Sequence, residues 1–118
     1  MYTLIRPLLF SINPELAHNL AVFTIKKGAM NLYKTDIDEK LKVNVAGIDF
    51  QSPIGLAAGF DKDAEFFNEM YKIGFGYVET GTVTPRPQYG NPKPRMFRLE
   101  KDLALINKLG FNNVGLDS

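Results

Sequence analysis

The segment PIGLAAGFDKDAEFFNEMYKIGFGYVETGTV, residues 53–83, decides the fold class of this chain. It opens with a short apolar run ending in small residues, a pattern typical of a buried strand. Residues 63–74 follow with apolar side chains at helical spacing, acids near the start and a glycine at the end. Residues 75–83 form a second apolar run. The order strand, helix, strand predicts a βαβ unit with parallel pairing and a right-handed crossover.

Composition limits the functions that the chain can have. Its 118 residues are enough for one small domain or for part of a larger one. Lys and Arg number 14 against 13 Asp and Glu, so no excess of positive charge favours a nucleic-acid partner. The chain has no cysteine and a single histidine, His18. Disulfides and cysteine nucleophiles are therefore excluded, and no metal site is predicted.

Residues 1–34 are predicted to form two short helices. The first carries apolar residues on one face, and the second begins with Asn13 as a cap and Pro14 at its first position. This region holds four basic residues and one acid. A basic helix pair with an apolar face suits a membrane interface. The alternative is an ordinary helical hairpin packed on its own domain, and the pattern alone leaves both interpretations open.

The remaining segments are assigned more briefly. Residues 43–50 alternate apolar and polar side chains around Ala46-Gly47, which predicts a hairpin. Residues 84–95, TPRPQYGNPKPR, hold four prolines and are predicted to form a long constrained loop. Residues 95–100 are predicted to be a brief strand, and residues 103–113 a turn with a further apolar stretch.

Small residues end both strands of the predicted βαβ unit. In parallel α/β folds the carboxyl ends of the strands form the functional edge. Ala57-Ala58-Gly59 would leave room there for a flat ligand, and Lys62 in the next loop could neutralise an anion. Thr82 follows the second strand and could bond a cofactor. A tight strand-to-helix turn with a solvated lysine explains the same pattern equally well.

Side-chain amides suggest a second part of this site. Asn107 and the run Gly110-Phe111-Asn112-Asn113 could bind a planar ligand rich in carbonyl groups, although asparagines in turns often bond their own backbone. The sequence has no nucleophile–base pair, no dinucleotide fingerprint and no phosphate-binding loop. Asp61, Asp63 and Glu65 are assigned to the helix start rather than to acid–base catalysis. The residues alone thus predict the first part of an α/β protein with a candidate anion or cofactor site.

Three motifs closely resemble the class 2, quinone-dependent dihydroorotate dehydrogenases, which are flavin mononucleotide (FMN) enzymes of pyrimidine synthesis. They are GLAAGFDK, GFGYVETGTVTPRPQYGNPKPRMFRL and LINKLGFNN. INPELAHNLAV, residues 12–22, resembles the start of the N-terminal helical extension of that class. The resemblance implies a TIM (β/α)8 barrel preceded by two helices. Residues 1–40 would then be a helical membrane and quinone-access element, and residues 41–118 the first, incomplete part of the FMN-binding barrel.

The resemblance also implies roles for individual residues. The residues expected to contact FMN are Ala58, Gly59, Phe60, Asp61, Lys62 and Thr82. Those expected to bind dihydroorotate or orotate are Lys62, Asn107, Lys108, Leu109, Gly110 and Phe111. His18 and Arg98 match polar positions of the quinone tunnel. The implied reaction oxidises dihydroorotate through FMN, with membrane quinone as acceptor, in de novo UMP synthesis. Residues 1–34 would bind the membrane peripherally, at the cytoplasmic face of the inner membrane in a bacterium.

The length of the chain sets a further expectation. A TIM barrel takes about 250 residues, and only two barrel strands are predicted here. The serine base of the family lies beyond these residues, so no catalytic residue is assigned, and the chain is expected to be a truncated barrel inactive by itself. Two alternatives remain open. The chain could be a stand-alone, non-catalytic module that binds membrane or quinone, or it could belong to another FMN-dependent TIM-barrel oxidoreductase.

Overall fold

The computed structural model describes residues 2–32 and 35–118. The chain begins with two α-helices, α1 (Tyr2–Ser11) and α2 (Pro14–Lys26), which confirms the predicted helix pair. The side-chain oxygen of Asn13 accepts hydrogen bonds from the backbone N–H groups of Glu15 at 2.9 Å and Leu16 at 3.2 Å. Asn13 is therefore the predicted cap, and it satisfies two amides that α2 cannot bond internally. The predicted contributions of Met1, Tyr33 and Lys34 lie outside the described residues.

The predicted hairpin forms from β1 (Val43–Val45) and β2 (Ile48–Phe50). The two strands are antiparallel, with Val43 opposite Phe50. Ala46 and Gly47, the two turn residues, have φ angles of 51° and 82°. Positive φ at both turn positions matches the twist of the strands, which is why a glycine suits the second of them.

The predicted βαβ unit is present, but its helix is shorter than the pattern indicated. It consists of β3 (Gly55–Leu56), α3 (Phe67–Lys72) and β4 (Tyr77–Val78). The strands β3 and β4 pair in parallel, as predicted. Residues 61–66 form bends rather than the first helical turn. The side chain of Asp61 accepts the backbone amides of Glu65 and Phe66, and this local bonding competes with helix formation.

A second antiparallel pair follows the proline-rich loop. It consists of β5 (Met96–Leu99), which was predicted, and β6 (Ala104–Asn107), which was not. All four residues of each strand are paired, with Met96 opposite Asn107. Two single 3-10 turns, Ala29–Leu32 and Glu39–Leu41, link the helix pair to β1.

The core lies between α2, α3 and the parallel strands. Ile25, Phe66 and Met70 are buried, and further apolar residues pack partly against them: Val22, Met30, Leu56, Phe60, Ile73, Phe75 and Val78. Not all the apolar residues at helical spacing are buried: the Phe67 and Tyr71 side chains are each more than one-third exposed. Met70 and Phe66 are buried in the core, and Ile73, on the same side of the helix, packs partly against them.

The helix pair has one face packed on the core and another face exposed to solvent. Val22 and Ile25 bind α2 to the core, which agrees with the hairpin interpretation. Apolar side chains elsewhere on α1 and α2 are exposed, with Leu8 71% and Phe23 57% accessible. Within the described residues, neither helix has the length and apolar character that a membrane span requires. The pair is thus packed on its domain and also presents an apolar outer surface.

Candidate functional site

Three chain segments and α2 meet around a cavity of about 520 Å³. The segments follow β3, β4 and β6, so the cavity lies at the carboxyl ends of these strands. Its lining comprises His18, Ala58, Gly59, Phe60, Lys62, Gly81, Thr82, Met96, Leu105, Asn107, Lys108, Leu109, Gly110, Phe111 and Asn112. Residues that the sequence assigned separately to a cofactor and to a substrate therefore share one space.

Glycines make the floor of the cavity. Gly59 has a φ of 99°, and no atom lies within 4 Å of the position that a Cβ would take. Its backbone N–H donates to the carbonyl of Gly81 at 2.9 Å, and the N–H of Gly81 donates to the carbonyl of Asp61 at 3.1 Å. These two bonds join the segments that follow β3 and β4. The peptide bond between Gly81 and Thr82 is cis. The floor is held by backbone groups and is left bare of side chains.

Two lysines line the cavity, Lys62 and Lys108, and Lys62 lies beside its floor. Its ammonium donates to the carbonyl of Gly59 at 2.7 Å, which leaves two more N–H donors. Burial lowers the pKa of Lys62 from its ordinary value of 10.5, and Asp63 opposes that change. A partly buried cation beside a bare floor suits an anionic ligand, because the anion would replace the lost hydration.

Asp61 lies below the cavity and is not part of its lining. Its side chain is fully buried, and its two carboxylate oxygens accept the backbone N–H groups of Glu65 at 2.8 Å and Phe66 at 3.1 Å. Since both oxygens are occupied by amides, Asp61 shapes the loop that carries Lys62. It is the one residue of the expected FMN set that the structure places away from the cavity.

His18 brings α2 to the cavity. Its ring packs edge-on against Phe60, with centroids 5.3 Å apart, and Phe60 packs in the same way against buried Phe66. Burial lowers the pKa of His18 from its ordinary value of 6.5, and the nearby Lys62 lowers it further. His18 is therefore neutral at pH 7 and can both donate and accept a hydrogen bond.

The segment after β6 forms the opposite wall. Asn113 holds it in place: its amide nitrogen donates to the hydroxyl of Thr84 at 3.0 Å and to the carbonyl of Phe111 at 2.7 Å. Asn112 belongs to the run of candidate amides in the sequence, although not to the set implied by the resemblance, and it lines the cavity. Its side-chain oxygen is buried without a hydrogen-bond partner in the described part of the chain. Such an acceptor is available to a donor from a ligand or from water.

Arg98 lies apart from His18. Its guanidinium donates to the carbonyls of Phe10 at 3.2 Å and Ile12 at 2.6 Å, and it stacks 4.6 Å from the centre of the Phe10 ring. Arg98 thus caps the C-terminus of α1 and lines a second cleft of about 400 Å³. Leu105 lines both the cleft and the main cavity, so the two spaces are neighbours. No cluster of three or more potential metal ligands occurs in residues 2–32 and 35–118.

A βαβ unit whose small strand ends open onto a cavity is the arrangement in which α/β enzymes bind cofactors and substrates. The sequence model of dihydroorotate dehydrogenase matches residues 40–118, and the chain belongs to this family. The dihydroorotate dehydrogenase (quinone) of Bartonella henselae is 56% identical over 110 residues, which cover 93% of this chain and 30% of that protein. The corresponding protein of Azorhizobium caulinodans is 52% identical over 116 residues, 98% of this chain and 33% of that protein.

A solved structure supports the same relationship. The crystal structure of DHODH from Eimeria tenella in complex with ferulenol superposes with a TM-score of 0.84 at 54% sequence identity. The match covers 89% of this chain and 28% of that one. The chain thus spans about a third of the length of the curated relatives that it matches.

Proposed function

We propose that this chain is the N-terminal part of a quinone-type dihydroorotate dehydrogenase. Residues 1–40 form the helical element for membrane and quinone access, and residues 41–118 form the first βα units of a TIM barrel. The enzyme oxidises dihydroorotate to orotate through FMN and passes the electrons to membrane quinone. The observation that carries this proposal is the single cavity that joins the ends of β3, β4 and β6.

The residues around the cavity fit FMN. The floor is open at Gly59, and Ala58 beside it adds only a methyl group to the lining, so a flat ring has room there. The unpartnered oxygen of Asn112 can accept an N–H group from a ligand. Phe60 and Thr82 complete the surface that would hold the ring. Asp61 contributes indirectly by fixing the loop. When bound, FMN would accept a hydride from the substrate, a reaction that no protein side chain performs.

Lys62 and the wall after β6 bind dihydroorotate in this proposal. The substrate carries a carboxylate, and the partly buried ammonium of Lys62, with two free donors, would orient it. Asn107, Lys108 and the backbone to Phe111 line the same side of the cavity. The fixed charge of Lys62 also stabilises negative charge that develops during the reaction, since the site needs no reorganisation to do so.

The helix pair provides the quinone side. His18 lines the main cavity, while Arg98 lines the adjoining cleft, so a quinone between them would lie beside the flavin site. The exposed apolar side chains of α1 and α2 favour peripheral contact with a lipid surface. In a bacterium this surface is the cytoplasmic face of the inner membrane.

A chimeric enzyme tests the proposal. Residues 1–118 would replace the matching segment of the Bartonella henselae relative, and quinone-dependent oxidation of dihydroorotate would be measured. We expect turnover within about tenfold of the parent enzyme, because the segment carries the residues that line the cavity. A chimera that folds and retains FMN but does not oxidise dihydroorotate would contradict the proposed function. The unmodified parent enzyme is the control.

A further inference from the structure

Arg95 connects three parts of the chain although it lies in the proline-rich loop. Its side chain is 9% exposed. One edge of the guanidinium donates to a single carboxylate oxygen of Glu15, from Nε at 3.1 Å and from Nη2 at 2.7 Å. Its other terminal nitrogen donates to the carbonyls of Tyr89 at 2.7 Å and Asn91 at 3.1 Å. The first turn of α2 is thereby bonded to residues 89–91.

The same loop is bonded to the wall of the main cavity. The carbonyl of Arg95 accepts the N–H of Lys108 at 2.9 Å. The backbone N–H of Asn91 donates to the carbonyl of Leu109 at 3.0 Å, and its side-chain amide donates to the carbonyl of Lys108 at 2.7 Å. A displacement of Arg95 or Asn91 must therefore move Lys108 and Leu109, both of which line the cavity.

The ion pair at the centre of these contacts is well enclosed. The Glu15 side chain is 12% exposed, and the hydrogen bond from Arg95 lowers the pKa of its carboxyl group. An enclosed charge that loses its partner is strongly destabilising, so breaking the Glu15–Arg95 pair would cost a large part of the stability of the fold. Lys93 lies 3.4 Å from the same carboxylate, but its side chain is 66% exposed. An exposed pair of this kind contributes little, which makes Lys93 a matched control.

We propose that Arg95 is a positioning residue that, together with Glu15, transmits the docking of α2 to the substrate wall at residues 107–109. The function of that wall rests on the proposed function, whereas the mechanical coupling does not. Neither Arg95 nor Glu15 lines the main cavity, and the backbone bonds at Asn91, Lys108 and Leu109 carry the mechanical coupling. Glu15 also lines a small adjoining pocket with Lys62, on which the charges of Glu15 and Arg95 act in opposite directions.

Amide chemical shifts test the coupling without any reaction. In the 118-residue chain, Glu15→Gln and Arg95→Gln should each shift the amide resonances of Lys108 and Leu109, while Lys93→Gln leaves them in place. Arg95→Lys should restore them only partly, because an ammonium cannot form the same planar fork. The inference is overturned if Glu15→Gln shifts only α2 resonances, or if Lys93→Gln shifts the wall equally.

Kinetics of the chimeric enzyme provide a second measurement, which remains available if a variant of the isolated chain does not fold. Glu15→Gln and Arg95→Gln should each raise the KM for dihydroorotate about five- to tenfold, and Lys93→Gln should not change it. A purely structural brace would lower the amount of folded enzyme, and hence the apparent kcat, at constant KM. That second pattern would refute the positioning role. If the chimera lacks dihydroorotate activity altogether, the proposed function fails, and the chemical shifts still decide the coupling.

Discussion

Replacing Asp61 with alanine should cost far more stability than removing an exposed helix cap. The carboxylate is fully buried and accepts two backbone amides, at 2.8 and 3.1 Å. A buried donor left without an acceptor costs about 1–3 kcal/mol. The amide of Phe66 is buried and that of Glu65 partly buried, so Asp61→Ala should lower the free energy of unfolding by about 2–5 kcal/mol, somewhat below twice the full cost. With a urea m-value of about 2 kcal/mol/M, the unfolding midpoint should fall by about 1–2.5 M.

The assay is urea unfolding followed by circular dichroism, with Asp38→Ala as the matched control. Asp38 accepts one backbone amide, that of Lys40 at 3.0 Å, but it is exposed. Its loss should cost about 0.5–1 kcal/mol, because water replaces the carboxylate. A loss for Asp61→Ala below about 1 kcal/mol, or one equal to that of the control, would refute the buried-cap argument.

Three other predictions concern the floor, the core and the helix histidine. Gly59→Ala should destabilise the fold by about 1–2 kcal/mol, since its φ of 99° disfavours a side chain. The same change should weaken FMN binding measured by fluorescence. Unchanged stability and unchanged FMN affinity would contradict the assignment of the floor. Met70→Ala should lower the free energy of unfolding in urea by about 2–5 kcal/mol, because Met70 is 1% exposed. Leu8 is 71% exposed, so Leu8→Ala should lower it by less than about 0.5 kcal/mol. Equal losses of stability in the two variants would contradict the assigned core. The folded pKa of His18 is lowered from 6.5, so the unfolded chain binds more protons, and stability should rise with pH through the window that ends near 6.5. His18→Gln should flatten that rise in unfolding curves measured at several pH values, and an unchanged pH dependence would contradict it.

Local patterns were sufficient to predict most of the elements. The hairpin around Ala46-Gly47 and the cap at Asn13 depend on neighbours in sequence, and the structure contains both. The start of α3 was misplaced because Asp61 bonds amides four and five residues ahead, an alternative to helix that periodicity does not show. β6 was missed because its pairing with β5 is a tertiary contact, and residues 104–107 alone do not require a strand.

The site residues at the ends of the strands could be predicted from the sequence, whereas those whose role depends on tertiary packing could not. Ala58, Gly59 and Thr82 line the cavity because parallel strands end at one edge. The sequence included Asn112 among the candidate amides of its run but could not separate it from Asn113, and only the buried, unpartnered oxygen of Asn112 does so. Arg95 carries no local signal beyond its place after a proline, since its partner Glu15 lies 80 residues away in the chain.

The most direct test of the central claim isolates the first half of the reaction. The chimeric enzyme, loaded with FMN, would be mixed anaerobically with dihydroorotate in the absence of quinone, and the visible absorbance of the flavin would be followed. The account predicts rapid loss of this absorbance, slowed at least about a hundredfold in Lys62→Gln, because the partly buried ammonium provides preorganised charge. Absorbance that does not fall, or that falls at the same rate in Lys62→Gln, would contradict the assignment of this cavity as the dihydroorotate and FMN site.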